Sequence, residues 1–257
     1  MFKISVITSV KNGSKTIERC IKSVQSQSGV EVEHIIVDGG SDDNTLEIIQ
    51  DCAPSIIYIN YPNSTMYEAM NLGVENCSSE YICFLNCDDY YYSTSSLCNL
   101  VSSFTKSPDI DLVYGNCIFV SDSHKVLYSL YPYSKFRYFT ARLRLFNVSH
   151  PTWIIKKSIF QSFKGYDISF KYVSDTDFFL RLIKHNIILQ YENIHVVNFE
   201  ISVNNASKSN EAKKEWRRLF EIYNGNSKLS YLFHYILLIF FYLKDFKYFI
   251  HKIKKYV

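Results

Sequence analysis

The chain has 257 residues, with 28 Lys and Arg against 25 Asp and Glu, a formal net charge of +3. That length holds one large domain, or one domain with an appendage, around a substantial core. The near balance of charge excludes a protein that covers nucleic acid over its whole surface, and seven cysteines with no C-x-x-C pair read as reduced thiols, neither a disulfide framework nor a zinc site.

Met1 leads straight into a strand from Lys3 to Val10, with no apolar signal segment before it, so a cytoplasmic location is expected. Lys11-Asn12-Gly13-Ser14 is a turn, and Ser14 is placed to cap a helix running to Gln27. Ile17, Cys20, Ile21 and Val24 recur at helical spacing and give that helix one buried face. A second strand over 32–37 delivers Asp38-Gly39-Gly40-Ser41-Asp42-Asp43. A helix through Leu46, Ile48 and Ile49, a short strand over 56–59 and a helix over 66–74 follow. The apolar run Ile82-Cys83-Phe84-Leu85 then ends abruptly in Asn86-Cys87-Asp88-Asp89, with Tyr90, Tyr91 and Tyr92 behind it. Strands alternating with helices of this length argue for a mostly parallel, doubly wound sheet, and ligands of such sheets collect at the carboxyl ends of the strands. Carboxylates held there suit a hard divalent cation, although Asp and Asn are also ordinary turn residues.

Beyond Asp89 the regularity loosens. Residues 97–104 read as a helix, and 111–114, 117–120 and 126–131 as separate strands, while 132–149 are aromatic and basic without a clear period. Ser149-His150-Pro151-Thr152 leads into the apolar Trp153-Ile154-Ile155. Ser174 is placed to cap a helix with Asp177 closing a capping box, and Asp177 and Arg181 are i, i+4 neighbours on it. A strand over 187–197 and a charged helix over 212–222 come next, stopped by Tyr223-Asn224-Gly225. The tail changes composition. Residues 229–243 are apolar and aromatic but short of the about 20 residues a bilayer crossing needs. Phe246, Phe249, Ile250, Ile253 and Val257 then share one helical face, with Lys244, Lys247, Lys252, Lys254 and Lys255 on the other. This is the pattern of a helix lying on an anionic membrane surface; packing on the domain's own core or against a partner subunit accounts for it too.

Five motifs in order carry a resemblance: Ser5-Val6-Ile7-Thr8-Ser9-Val10-Lys11-Asn12, the run from Ile35 to Thr45 around Asp38, Met66-Tyr67-Glu68-Ala69-Met70-Asn71-Leu72-Gly73, Phe84-Leu85-Asn86-Cys87-Asp88-Asp89, and Asp175-Thr176-Asp177-Phe178-Phe179-Leu180-Arg181-Leu182. Together they resemble the family 2 inverting glycosyltransferases of the GT-A fold. The resemblance implies an α/β fold with a Rossmann-like, mostly parallel central sheet flanked by helices and a helical C-terminal appendage. Residues 1–226 would be the glycosyltransferase domain, 1–92 its nucleotide-sugar-binding half and 93–226 its acceptor half, with 227–257 as the amphipathic tail.

The same resemblance implies a UDP-sugar donor and Mn²⁺ or Mg²⁺. Thr8, Val10 and Asn12 would close over the nucleoside, Asp38 would hydrogen-bond the base, and Asn71 would lie at the edge of the donor pocket. Asn86-Cys87-Asp88 would occupy the D-x-D station, where Asp88, joined by Asp89, would hold the cation against the diphosphate. Asp175, in the first turn of a helix whose dipole favours the ionised form, would be the general base. His150 and Asp89 would line the acceptor site. Three departures leave metal affinity and donor choice unassigned: Lys11 stands where an aromatic is common, Asn86 takes the first D-x-D position, and Asn63 replaces an acidic residue. The expectation is therefore an enzyme that moves one sugar to a saccharide on polyprenyl diphosphate, in O-antigen or capsule assembly. It would have no nucleic-acid partner and would sit peripherally on the inner face of the cytoplasmic membrane through its tail. A sugar nucleotidyltransferase shares part of the pattern but wants a Gly-rich basic loop that Lys11-Asn12-Gly13-Ser14 does not supply. A catalytically weak nucleotide- or saccharide-binding scaffold of an assembly complex is the alternative that Lys11 and Asn86 leave open.

Overall fold

The computed structural model describes residues 1–52, 55–130, 132, 148–185, 187–201 and 209–225. The tail over 227–257 and most of the aromatic, basic stretch over 132–149 lie outside the described residues.

The first half alternates as its hydrophobic pattern requires: β1 (Lys3–Val10), α1 (Ile17–Gln25), β2 (Glu31–Asp38), α2 (Thr45–Cys52), β3 (Ile57–Asn60), α3 (Met66–Glu75) and β4 (Tyr81–Phe84). β1 pairs in parallel with β2 and β4, and β2 with β3. Because successive strand residues point to opposite faces, residue parity sorts the side chains into two cores. Ile7, Ile35, Val37, Ile82 and Phe84 pack on the α3 side, and Ile4, Val6, Ile36, Cys83 and Leu85 on the side of α1 and α2. Gly73 allows the first of these layers to close. A methyl group added there would overlap Ile7 Cγ2, itself fully buried.

The second half adds β5 (Tyr90–Tyr91), α4 (Ser96–Lys106), β6 (Leu112–Ser121), β7 (Val126–Leu130), β8 (Trp153–Lys156), α5 (Lys157–Ser162), α6 (Ser174–Lys184), β9 (Leu189–Ile201) and α7 (Asn210–Asn224). The described strands form one sheet in the order β3-β2-β1-β4-β8-β6-β9-β5, with β7 also on β6. The sheet therefore runs unbroken from the first half of the described chain into the second. β6 pairs in parallel with β9 and antiparallel with β8 and β7. All seven cysteines are free. No helix among the described residues is long and apolar enough to cross a membrane.

Several local expectations are corrected. The two short strands expected over 111–114 and 117–120 are one strand, because Gly115 lets the Val196 side chain and the Ile194 carbonyl come close while the register with β9 shifts on either side of Asn116. Ser14 does not cap α1, which starts at Ile17; its backbone N–H instead donates to the Asp43 carboxylate at 3.1 Å. Ser174 lies inside α6 behind Val173, with its hydroxyl buried and unpaired, so the expected capping box is absent there. Asp177 instead accepts from Arg181 Nε at 2.8 Å, the i, i+4 pair. A capping box does occur on α3, between Thr65 and Glu68.

β8 is the strand that joins the two halves. It runs antiparallel to β4, with Tyr81 opposite Lys156 and Ile82 opposite Ile155. Continuing that register carries the 3₁₀ turn His150–Thr152, just ahead of β8, to the carboxyl end of β4. A segment some 65 residues further along the chain is thereby delivered to Asn86.

Gly73→Ala should lower stability by about 1–3 kcal/mol, the range for overpacking a filled core. Urea unfolding of wild type and variant measures it, and an unchanged midpoint would mean that α3 can lift off β1 freely.

Candidate active site

The parallel register puts Val10, Asp38 and Asn60 level with one another, so β1, β2 and β3 end at one edge of the sheet. Asp38 is almost fully buried there. Its Oδ1 accepts from Gly40 N, Ser41 N and Ser41 Oγ at 3.0, 2.8 and 2.8 Å, and its Oδ2 from the Tyr58 hydroxyl at 3.0 Å. Burial, with the Asp38 hydrogen bond and charge, pushes the Tyr58 phenol up to about 12. The loop after β1 is laced to the loop after β2. Gly39 N donates to Val10 O at 2.8 Å, Asn12 N to Ser41 Oγ at 2.9 Å, and Asp42 N to Asn12 Oδ1 at 2.9 Å. Asn12 holds φ 55°, a left-handed conformation that asparagine tolerates better than most residues.

Thr8 and the side chain of Val10 are placed differently from what the resemblance implies, and Asn71 has a structural partner. Thr8 is fully buried and its hydroxyl pairs with His34 Nε2 at 3.0 Å, so its side chain packs between sheet and helix, away from the strand ends. The Val10 side chain lies in the core with α1, leaving only its main chain at the edge. Asn71 is taken up by the turn ahead of α6: its Nδ2 donates to Tyr166 O at 2.8 Å and its Oδ1 accepts from Tyr166 N at 3.0 Å. Asn71, half-buried, thus holds the turn with one amide N–H and one carbonyl lone pair.

The station Asn86–Asp89 follows β4 along the same edge. A methyl built on Gly13 would lie 3.5 Å from Cys87 Sγ, which sets the β1 loop directly beside it. Burial, then the Asp88 charge, pushes the Cys87 thiol well above its ordinary range, so it is a neutral thiol. Two longer-range contacts anchor the station's backbone. Arg19, from α1, donates through Nη2 to Asp88 O at 2.6 Å and to Glu200 Oε2 at 2.7 Å, and covers the Tyr90 ring at 4.4 Å. β5 pairs antiparallel with β9 through Tyr90 and Tyr91. Asp89 is fully buried, its Oδ1 accepting from Glu200 N at 2.9 Å and its Oδ2 from Asn86 Nδ2 at 2.8 Å. Asp89 thus faces inward, closed to a cation and to an acceptor alike, and Asp88 is the carboxylate left at the surface of the station.

Asp175 sits in the first turn of α6 with its side chain 20% exposed. Its Oδ1 accepts from the Tyr67 hydroxyl at 3.0 Å and from Thr176 N at 2.8 Å, and its Oδ2 lies 3.3 Å from His150 Nδ1. The other ring nitrogen of His150, Nε2, is 3.0 Å from Asn86 Oδ1. A continuous chain of hydrogen bonds therefore runs from Tyr67 through Asp175, His150, Asn86 and Asp89 to the main chain of Glu200. Below it, the rings of Phe84, Phe160, Tyr166 and Phe178 touch one another at 4.9–5.5 Å between centroids. This apolar floor holds the first turn of α6 against the sheet.

Electrostatics separate the two half-buried carboxylates, Asp175 and Asp88. Burial works against the Asp175 charge, but the hydrogen bond and charge of His150, the Thr176 N–H and the Tyr67 hydroxyl outweigh it and hold the carboxyl below its usual range. Asp175 is therefore ionised at neutral pH. Asp88 moves the opposite way, raised by burial and by Glu200 against the opposing Arg19 and His150. Asp89 is raised further by burial and by Asp88. No group of three or more His, Cys, Asp or Glu that could cage a metal occurs among the described residues. A Mg²⁺-like ion needs no such cage, since one or two carboxylates and substrate phosphates suffice. Asp88 fits that role: no described side chain hydrogen-bonds its carboxylate, and its strained ionisation is what a nearby cation relieves.

Tyr67, Tyr58 and Arg19 belong to the site without a signal in the sequence that marks them. Tyr67 stands in a recognised motif but carries no sign there of a partner at position 175, and Arg19 looks like any solvated helix residue. Their contacts span 108, 20 and 69 residues of chain.

A mixed sheet flanked by helices, with acidic loops gathered at the carboxyl ends of its strands, defines a GT-A nucleotide-sugar transferase fold. Residues 5–163 match the family Glycosyl transferase family 2, and the chain belongs to that family and is a glycosyltransferase. It is 26% identical over 205 residues to a PGL/p-HBAD biosynthesis glycosyltransferase of Mycobacterium bovis, covering 76% of this chain and 75% of that one. It is 25% identical over 228 residues to an uncharacterized glycosyltransferase of Rickettsia prowazekii, covering 86% and 70%. Among solved structures it resembles S. aureus TarS 1-349 in complex with UDP, at a TM-score of 0.66 and 19% identity over 96% of this chain and 72% of that one. The TarS 1-349 complex with UDP-GlcNAc matches at the same TM-score and 18% identity, over 96% and 73%.

Proposed function

We propose that this glycosyltransferase moves a single sugar from a UDP-sugar, with inversion at the anomeric carbon, to a saccharide carried on polyprenyl diphosphate. Such a reaction belongs to the assembly of O-antigen- or capsule-type surface polysaccharide. The observation that carries the reading is the hydrogen-bonded line from Asp175 through His150 to Asn86, which sets an ionised carboxylate and the Asp88 station on one strand-end edge. Asp38 lies along that edge, and its Oδ2 has lone-pair capacity beyond Tyr58 with which to accept the N–H of a uracil. That TarS has been captured with UDP and with UDP-GlcNAc supports a uridine donor.

The chain's own residues then divide the work. Asp38 and the Asn12 loop hold the nucleoside, and Asp88 holds Mn²⁺ or Mg²⁺. That cation, once bound with the diphosphate, supplies Lewis-acid neutralisation of the leaving group. Asp175 takes the proton from the acceptor hydroxyl as its oxygen bonds to the anomeric carbon. The bond from that carbon to the phosphate oxygen breaks, and its electron pair leaves with UDP. One displacement inverts the centre. The lipid-linked acceptor and a peripheral position on the inner membrane face rest on the basic, aromatic tail over 227–257, which would bring the enzyme to such a substrate.

Asp88→Ala should abolish Mn²⁺-stimulated UDP binding measured by calorimetry; tight, metal-dependent binding in the variant would place the cation elsewhere. Asp175→Asn should keep UDP binding and lower transfer by about 10²–10⁴-fold, the worth of a general base. UDP release across a panel of UDP-sugars reads this, and near-normal turnover would disqualify Asp175. A chain ending at Ser227 that stays folded and acts on a lipid-linked acceptor as well as the full chain would remove the membrane role of the tail.

A further inference from the structure

His150 is the residue whose placement exceeds what the resemblance implies. Only 6% of it is exposed, and it lies in a 3₁₀ turn closed by Thr152 N and Thr152 Oγ1, both donating to Ser149 O, at 2.9 and 2.8 Å. Its ring meets Phe84 edge-on at 6.5 Å between centroids, which leaves the imidazole little freedom to swing. Both ring nitrogens are engaged. Asn86 Nδ2 donates to Asp89, which orients Asn86 Oδ1 toward the ring as an acceptor for Nε2–H. Nδ1 lies 3.3 Å from a carboxylate oxygen of Asp175. A ring committed at both ends and shut off from solvent is badly placed to hold an incoming saccharide. It is well placed to hold two other groups at a fixed distance.

We propose that His150 is a positioning residue that ties the base Asp175 to the donor-side Asn86 as one rigid unit, and that it does not touch the acceptor. The inference rests on the reading of Asp175 as base. The physical need is plain. The oxygen that collects the proton sits on α6 and the loop that holds the diphosphate follows β4, about 90 residues apart in sequence. Misplacing a reacting group by about 1 Å can cost about 10²-fold in rate. Tyr67 and Thr176 hold Oδ1 of Asp175, but His150 alone among the described contacts of that carboxylate reaches across to the station.

Hydrolysis of the donor separates the roles, because water is then the acceptor and no saccharide contact is made. The probe is UDP release from whichever of UDP-glucose, UDP-galactose, UDP-GlcNAc and UDP-GalNAc the wild-type chain turns over best. His150→Ala should lower its kcat by about 10–100-fold, with KM and Mn²⁺-dependent UDP binding unchanged within about threefold. His150→Asn, whose amide nitrogen falls near the position of Nδ1 but does not extend to Asn86, should keep the Asp175 contact and recover little of the loss. Unchanged hydrolysis in His150→Ala would overturn the proposal, as expected of an acceptor contact. So would a loss that tracks a lowered thermal midpoint, as expected of mere packing, or one that His150→Asn recovers in full, as expected if only the contact to Asp175 matters. Independently of turnover, histidine-¹⁵N NMR should show the His150 Nδ1 signal moving in Asp175→Asn and the Nε2 signal in Asn86→Ala. If neither moves, the bridge is absent. Full hydrolysis in Asp175→Asn with both NMR shifts present would sink the base assignment while leaving the bridge in place.

Discussion

A hydrogen bond of 3.0 Å between His150 Nε2 and Asn86 Oδ1 joins the two halves of the site, and the rest of the arrangement depends on how it is made possible. β4 belongs to the parallel, nucleotide-type half of the sheet, and its end carries Asn86. β8 enters beside it running the opposite way, so its leading turn arrives where β4 finishes. An antiparallel insertion into an otherwise parallel run is thus the constraint that brings His150, from the second half of the chain, to Asn86 at the end of the first. Had β8 run parallel, its trailing end would lie there, and His150 would be at the other edge of the sheet.

That junction has to carry charge in a partly dehydrated place, and burying carboxylates is costly unless each is paired or hydrogen-bonded. The chain meets the cost differently at each acid. Asp89 is fully enclosed and satisfied by Glu200 N and Asn86 Nδ2, which makes it part of the scaffold. Asp175 is held ionised by His150, Thr176 and Tyr67. Asp88 alone is left with its ionisation disfavoured and no described side chain bonded to its carboxylate. Arg19 balances the local negative charge without using up that carboxylate, since it binds the Asp88 carbonyl and Glu200 instead. The result is one acid kept anionic and, beside it, one whose anionic form is disfavoured.

The regular elements of the first half are legible because they depend on neighbours a few residues away. The i, i+3, i+4, i+7 recurrence of Ile17, Cys20, Ile21 and Val24 predicts the buried face of α1, and all four are buried. The apolar runs before Asp38 and Asn86 predict strands that end in polar loops, and both do. The second half resists because its geometry is set by partners far along the chain. β5 is two residues long and exists only through β9. β6 passes through Gly115 because β9 fits against it. Ser14 and Ser174 have the right residue type for caps, but Asp43 claims the backbone beside one and the core encloses the other.

The amino-acid order by itself determined the family resemblance, the acidic stations at the ends of strands and the first-turn position of Asp175, since each is a matter of residue type and short spacing. Which of those acids face outward was decided only by the folded chain. Asp88 and Asp89 are adjacent and chemically identical, yet the second is enclosed by β9 while the first is not. Thr8 likewise carries a hydroxyl but, fully buried, pairs it with His34, while Asn71 also braces the turn at Tyr166. A side chain's chemistry is written in its identity; whether that chemistry remains available depends on what the fold sets against it, and those partners lie 26 to 111 residues away.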